Sequence, residues 1–161
     1  MGIRQRQLIA AALATLGALA QPAWAECAPA RVDLRDGDAA ARFSVEIART
    51  PEEQARGLMD RPAMATGAGM LFVYDTPRTT AFWMRNTLIP LDMIFVAEDG
   101  TVTKIHTAQP LDETPVPSGG EVVAVLEING GLAARLGLEE GAEVRSPLLP
   151  QDEAAWPCPA G

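Results

Sequence analysis

The chain has 161 residues, and its 13 Lys and Arg against 21 Asp and Glu give a formal net charge of −8. That excess of acid repels nucleic-acid phosphates and anionic lipid, so neither is expected as a partner. One histidine and two cysteines, far apart in the chain, leave no cluster with metal-ligand spacing, and no metal or cofactor is expected.

Arg4 and Arg6 precede an apolar run from Leu8 to Ala20, and Ala23-Trp24-Ala25 has the small-x-small form of a cleavage site. The run is too short to span a bilayer, so residues 1–25 read as a secretory signal peptide and the mature protein as periplasmic or secreted. A lipid anchor on Cys27 is disfavoured by Glu26, which stands where a small residue is needed. Cleavage after Ala25 removes two basic residues and no acid, and leaves 26–161 as one domain of ordinary size, with no later stretch able to span a membrane. Cys27 and Cys158, at the two ends of that domain in an oxidising compartment, are expected to form a disulfide. Closing so long a loop is worth about 4 to 5 kcal/mol in the chain-entropy model.

Val32 to Leu34 suggests a first strand, and Asp36-Gly37-Asp38 a turn. Asp33, Asp36 and Asp38 lack the downstream Glu of a calcium loop and read as solvated acids. Phe43, Val45 and Ile47 alternate with Arg42, Ser44 and Glu46, the pattern of a half-buried strand. Thr50-Pro51-Glu52-Glu53 predicts a helix start with Thr50 as N-cap and Glu53 closing a capping box, and the helix is placed at about 51–58. Arg56 and Arg61 bracket its exit and could present a fork of donors to an anion.

Met70 to Tyr74 reads as a buried strand ended by Asp75-Thr76-Pro77. Strands are expected at about 79–85 and 91–97, the second turning at Glu98-Asp99-Gly100 into a hairpin with Thr101 to Ala108. Between the first two lies Arg85-Asn86-Thr87, and Asp92 is embedded among Pro90, Leu91, Met93 and Ile94. A carboxylate there costs several kcal/mol, on the order of its desolvation penalty, unless it finds water, a cation or backbone donors. His106, with no second histidine, reads as structural.

Gln109 to Gly120 is the longest loop. In Val122 to Ile128, apolar Val122, Ala124, Leu126 and Ile128 alternate with Val123 and Val125, so both faces are largely buried, which marks a central strand. Asn129-Gly130-Gly131 turns into a short helix, Leu132 to Leu136, capped by Gly137, and its glycines could cradle an anion. A last strand follows at 142–146, then an irregular tail.

Arg56-Gly57-Leu58-Met59 with Arg61, Gly69-Met70-Leu71-Phe72, Phe82-Trp83-Met84-Arg85-Asn86-Thr87, Ile89-Pro90-Leu91-Asp92 and Glu127-Ile128 with Gly130 follow one another at characteristic spacings. Over about residues 40–148 the chain resembles the domain of unknown function 192 family, also called uncharacterised protein family 0127. The resemblance implies a compact, mainly β fold, a jelly-roll-like sandwich or partly open barrel with two short helices. It also implies frequent export behind a signal peptide or anchor, and it implies no activity.

Two functional readings follow from the residues. In the first, Trp83 and Met84 offer an apolar contact, Asn86 and Asp92 polar groups, and Arg56 or Arg61 a cation, so the protein is a module binding a small sugar-like or polar ligand, or an envelope protein. In the second it is a hydrolase with Asp92 as acid or base. No second acid stands beside Asp92, and no nucleophile elbow, P-loop or dinucleotide fingerprint occurs, so the residues favour binding. Asp92 and Asn86 could equally brace the corner they occupy.

Overall fold

A computed structural model describes residues 26–160; the expected leader lies outside them. The described strands are β1 (Arg31–Asp36), β2 (Ala39–Ala48), β3 (Ala68–Arg78), β4 (Ala81–Phe82), β5 (Leu91–Val96), β6 (Val102–Ala108), β7 (Val116–Pro117), β8 (Val122–Asn129) and β9 (Glu143–Arg145). Two helices, α1 (Pro51–Arg56) and α2 (Leu132–Leu136), interrupt them.

Seven strands form one sheet in the order β6-β5-β8-β3-β2-β1-β9, all pairs antiparallel except β2 with β3, whose connection carries α1. The sheet curls until its two edges meet: the Val102 amide donates to the Ala142 carbonyl and the Val144 amide to the Gly100 carbonyl, each at 2.8 Å. Of the two forms expected, this is the partly open barrel. β4 and β7 make a separate two-stranded ribbon.

Both faces of the central strands are covered, which is why Val122 to Ile128 is an unbroken apolar run except at Glu127. Inside the curl, Val32, Phe43, Leu71, Ile94, Leu126 and Ile128 pack with α2. On the outer face, Met70, Phe72, Met93, Phe95 and Val125 are covered by Leu58, Met84 and Ile89 from the connecting segments.

Several elements differ from the sequence reading, each for a local reason. The first helix stops at Arg56 because Gly57 takes a positive φ of 49° and turns the chain. The strand expected at 79–85 shrinks to Ala81–Phe82, since Asn86 adopts φ 53° and the Met84 amide leaves the ribbon to donate to the Asp112 carbonyl. β3 runs through Asp75-Thr76-Pro77 to Arg78, absorbing the expected turn as an irregularity between Val73 and Arg78.

The helix start is as the sequence predicts. The Thr50 hydroxyl accepts from the Glu53 amide at 3.2 Å, and the Glu53 carboxylate accepts from the amides of Thr50 and Arg49. Those bonds hold the Glu53 carboxyl below its usual range. Thr50→Ala is therefore expected to cost about 1 kcal/mol, read as a lower urea midpoint at unchanged slope.

Cys27 and Cys158 are joined, with Cα atoms 5.9 Å apart. The tail before Cys158 is irregular but held in place. The Ala155 amide donates to the Asp99 carbonyl, and Trp156 lies under the guanidinium groups of Arg145 and Arg35, at 4.1 and 4.5 Å from the ring centre.

Asp33 corrects the reading of its region, for it is a buried ion-pair centre and not a solvated acid. It sits on β1 directly opposite Arg42 of β2 and Arg145 of β9. Its carboxylate accepts from Arg42 Nε at 2.6 Å and from Arg145 Nη2 at 2.6 Å. Burial alone would raise its pKa, but the two guanidinium partners prevail and hold it below the usual range.

Candidate functional site

The outer face of the sheet carries a cavity of about 300 Å³ between α1, β3 and the 81–87 segment. Four aromatic residues line it: Phe72 and Tyr74 from β3, Phe82 from β4, and Trp83 just after β4, 47% exposed. Phe72 and Phe82 meet edge to face at 4.8 Å, and Phe82 stands edge to face with Phe95 beneath. Period-two alternation on β3 sends Phe72 and Tyr74 to the same side, so the strand supplies two walls with one pleat.

Two cations border this cavity. Arg56 is the last residue of α1, and Arg78 is the last of β3. Both are exposed, and neither has a carboxylate partner among the described residues. The Arg78 guanidinium stands 5.1 Å from the Tyr74 ring centre. The Tyr74 hydroxyl reaches Thr80 Oγ1 only at 3.5 Å, and burial pushes its pKa up.

Glu127 also lines the cavity. It lies on β8, the strand between β3 and β5, with Met70 and Met93 directly opposite, and only 4% of it is exposed. No hydrogen bond or ion pair reaches its carboxyl group from the described residues, and burial pushes its pKa up to about 8. A neutral carboxyl group therefore stands at the base of the cavity at neutral pH, able to donate one hydrogen bond or, when ionised, to receive a cation.

The residues singled out from the sequence are not brought together. Arg56 and Trp83 line the cavity. Met84 is buried in the outer core, 1% exposed. Asn86 is exposed in the turn, where its carbonyl accepts from the Asp60 amide at 2.8 Å. Arg61 makes a two-bond fork to Glu46, one bond at 2.7 Å, which raises its own pKa and lowers that of Glu46.

Asp92 is fully buried on the inner side of the sheet, the side of its strand neighbours Ile94 and Val96, away from the cavity. Its carboxylate accepts from Thr107 Oγ1 at 2.6 Å and from the amides of Gly131 and Ala133, both at 2.8 Å. The anion cradled by the glycines before α2 is thus the chain's own Asp92. Gly130 makes this possible, since a Cβ there would lie 2.7 Å from that of Pro90. Asp92→Asn turns an amide group toward one of the three donors, and is expected to lower stability by about 1 to 3 kcal/mol. A melting temperature equal to or above that of the unsubstituted chain would contradict the bracing geometry.

Sequence reasoning passed over Glu127, Arg78 and the aromatic wall. The available signal was a single acid inside a run buried on both faces, a placement that burial penalises unless the group has a use.

The family model of DUF192, an uncharacterized ACR, matches residues 32–146. Among curated proteins none matches the chain. A crystal structure of a protein of unknown function from Novosphingobium aromaticivorans DSM 12444 is similar, with 50% identity and a TM-score of 0.69, over 71% of this chain and 82% of that one. A second, from Sinorhizobium meliloti 1021 and described as a candidate transcription regulator, has 40% identity and a TM-score of 0.69, over 71% and 90% of the two chains. With the family model spanning the whole barrel from β1 to β9, the chain belongs to the DUF192 family.

Proposed function

We propose that this protein is an exported binding module for a small polar ligand, with the aromatic cavity above Glu127 as its site. The observation that carries the reading is the buried carboxyl group of Glu127, which lines an open cavity and has no partner from the described protein. Natural ligand sites combine apolar walls with a few placed polar groups, and here Phe72, Phe82 and Trp83 supply the walls while Glu127, Tyr74 and two arginines supply the polarity. Export is supported by the leader pattern of residues 1–25 and by the Cys27–Cys158 disulfide. No helix of the described residues is long and apolar enough to cross a membrane. The hydrolase reading through Asp92 gains nothing from the geometry, because every described partner of that carboxylate is structural.

Trp83 offers a direct test. In the Trp156→Phe variant of the chain beginning at Glu26, it is the only tryptophan left. Titration with a panel of neutral saccharides, polyols, amines and amino acids is expected to find members that change its emission saturably and raise the melting temperature. A panel that moves neither signal would refute the binding reading. Fractionation of cells expressing the full chain is expected to yield an extracytoplasmic form starting at Glu26, and retention of residues 1–25 in the cytoplasm would refute export.

A further inference from the structure

The charges around the cavity are arranged by depth, and that arrangement bears on the class of ligand. Glu127 is buried at the base, whereas Arg56 and Arg78 are exposed and end the two elements that border it. None of the three is neutralised by another described residue: Glu127 has no cation, and the arginines have no carboxylate. Five other arginines have carboxylate partners, Arg61 with Glu46, Arg35 with Glu143, Arg49 with Asp75, and Arg42 and Arg145 with Asp33, whereas Arg31, Arg85 and Arg135, like Arg56 and Arg78, have none among the described residues. The cavity thus presents an acid inside, cations outside, and aromatic faces between.

We propose that the ligand is a small zwitterion of the amino-acid class, its ammonium group seated on Glu127 and its carboxylate held by Arg56 and Arg78. This deepens the binding reading above and rests on it. Three physical arguments lead to this class. An ammonium group is the ligand fragment that best completes a buried carboxyl without a partner, because it supplies three donors and the compensating charge. Aromatic faces beside it add attraction for a cation. A carboxylate at the mouth suits the planar guanidinium fork, which binds it through two parallel hydrogen bonds. A neutral sugar would leave both arginines without a counter-charge, and a simple anion would leave the Glu127 carboxyl without a partner. A cavity of about 300 Å³ is of the size that holds a single small molecule.

Binding of this kind has a proton balance that can be measured. The titratable groups that line the cavity with Glu127 are Tyr74 and Arg78 from β3 and Arg56 from α1, and of these Tyr74 interacts with it electrostatically, while its β5 neighbour Met93 does not titrate. At pH 7 the Glu127 carboxyl is protonated, since burial pushes its pKa up to about 8. Seating an ammonium ion on it breaks the carboxyl O–H bond and sends that proton to solvent, while the ligand keeps its own charge. About one proton is therefore released for each ligand bound, and no bond of the ligand is broken and nothing is oxidised or reduced.

The test is calorimetric titration of the chain from Glu26, at pH 7 and in buffers of different ionisation enthalpy. The probes are the free L-amino acids, their decarboxylated amines, their deaminated acids, and glucose as a neutral control. The proposal expects at least one amino acid to bind, with its amine and acid halves each at least tenfold weaker. The heat should depend on the buffer to the extent of nearly one proton released. Glu127→Gln should abolish the proton release and weaken binding at least tenfold, its folding checked by thermal melting, and Arg78→Gln should weaken binding of the amino acid but not of its amine. Binding of glucose with the amino acids silent would overturn the zwitterion assignment and leave the ligand site standing. Binding of an amino acid without proton release would overturn the seat on Glu127. Silence of every probe would overturn both readings.

Discussion

Asp33→Ala is expected to lower the stability of the fold by about 3 to 5 kcal/mol, the usual cost of removing one member of a buried ion pair and leaving the others behind. Asp33 is 3% exposed and Arg145 6%, so water cannot replace the lost carboxylate around Arg145. The aromatic face of Trp156 remains beside that guanidinium, 4.1 Å away. The measurement is the urea midpoint at constant slope, and a shift worth less than about 1 kcal/mol would show that Arg145 finds another partner or reaches solvent. Adding Arg145→Met to Asp33→Ala should change stability by less than the sum of the two single substitutions, because the interaction of Asp33 with Arg145 is counted in both. The pH dependence has a definite sign. The folded carboxyl lies below its unfolded value of about 3.9, so its contribution is complete above that pH and is lost as pH falls through the folded value. Asp33→Ala should accordingly flatten the acid limb of the stability curve.

Glu127 acts in the opposite direction and at higher pH. Its folded pKa of about 8 lies above the unfolded value, which is near the ordinary 4.5. Between those limits the folded chain holds one more proton than the unfolded one, so the group makes stability fall as pH rises, at about 1.4 kcal/mol per unit. The decline should begin near pH 5, end near pH 8, and amount to about 3 to 5 kcal/mol over that window. Glu127→Gln, which keeps the shape without the titration, should match the unsubstituted chain at pH 4.5 and exceed its stability at pH 8.5 by a similar amount. Thermal melts of the two proteins at those two pH values decide the matter. Equal melting temperatures at pH 8.5 would show that the cavity already solvates the ionised carboxylate. A group kept where it reduces stability at neutral pH is the pattern expected of a functional residue, and a ligand cation that ionises it would return the lost stability.

The two effects bracket a window. Asp33 withdraws stability below about pH 4 and Glu127 above about pH 5, so among these groups the fold is expected to be most stable between them.

What the sequence determined by itself about this protein were features set by neighbours along the chain or by the two-residue period of a strand. Thr50 and Glu53 are three residues apart, so the capping box was legible before any tertiary contact existed. The alternation of Phe43, Val45 and Ile47 fixed a strand, and the run from Val122 to Ile128 fixed a central one, because only a strand covered on both faces needs apolar residues at successive positions. The Cys27–Cys158 pair followed from there being two cysteines and one way to join them. Mainly β architecture and the barrel-like form came with the family resemblance over about residues 40–148.

Only the tertiary structure decided which charges meet. Asp33 and Arg145 are 112 residues apart and become opposite neighbours because β9 adds to the edge at β1, a pairing with no local signature. Asp92 looked exceptional in the sequence because its neighbours are apolar, but its partners, Thr107, Gly131 and Ala133, come from elements 15 to 41 residues away. Glu127 stands in the sequence as a single acid inside an apolar strand, with nothing along the chain to say what surrounds it. Its isolation is set by α1 and the 81–87 segment, which roof the outer face without supplying a donor. A carboxylate's energy depends on the few atoms within about 4 Å of it, and in a curled sheet most of those atoms come from elsewhere in the chain.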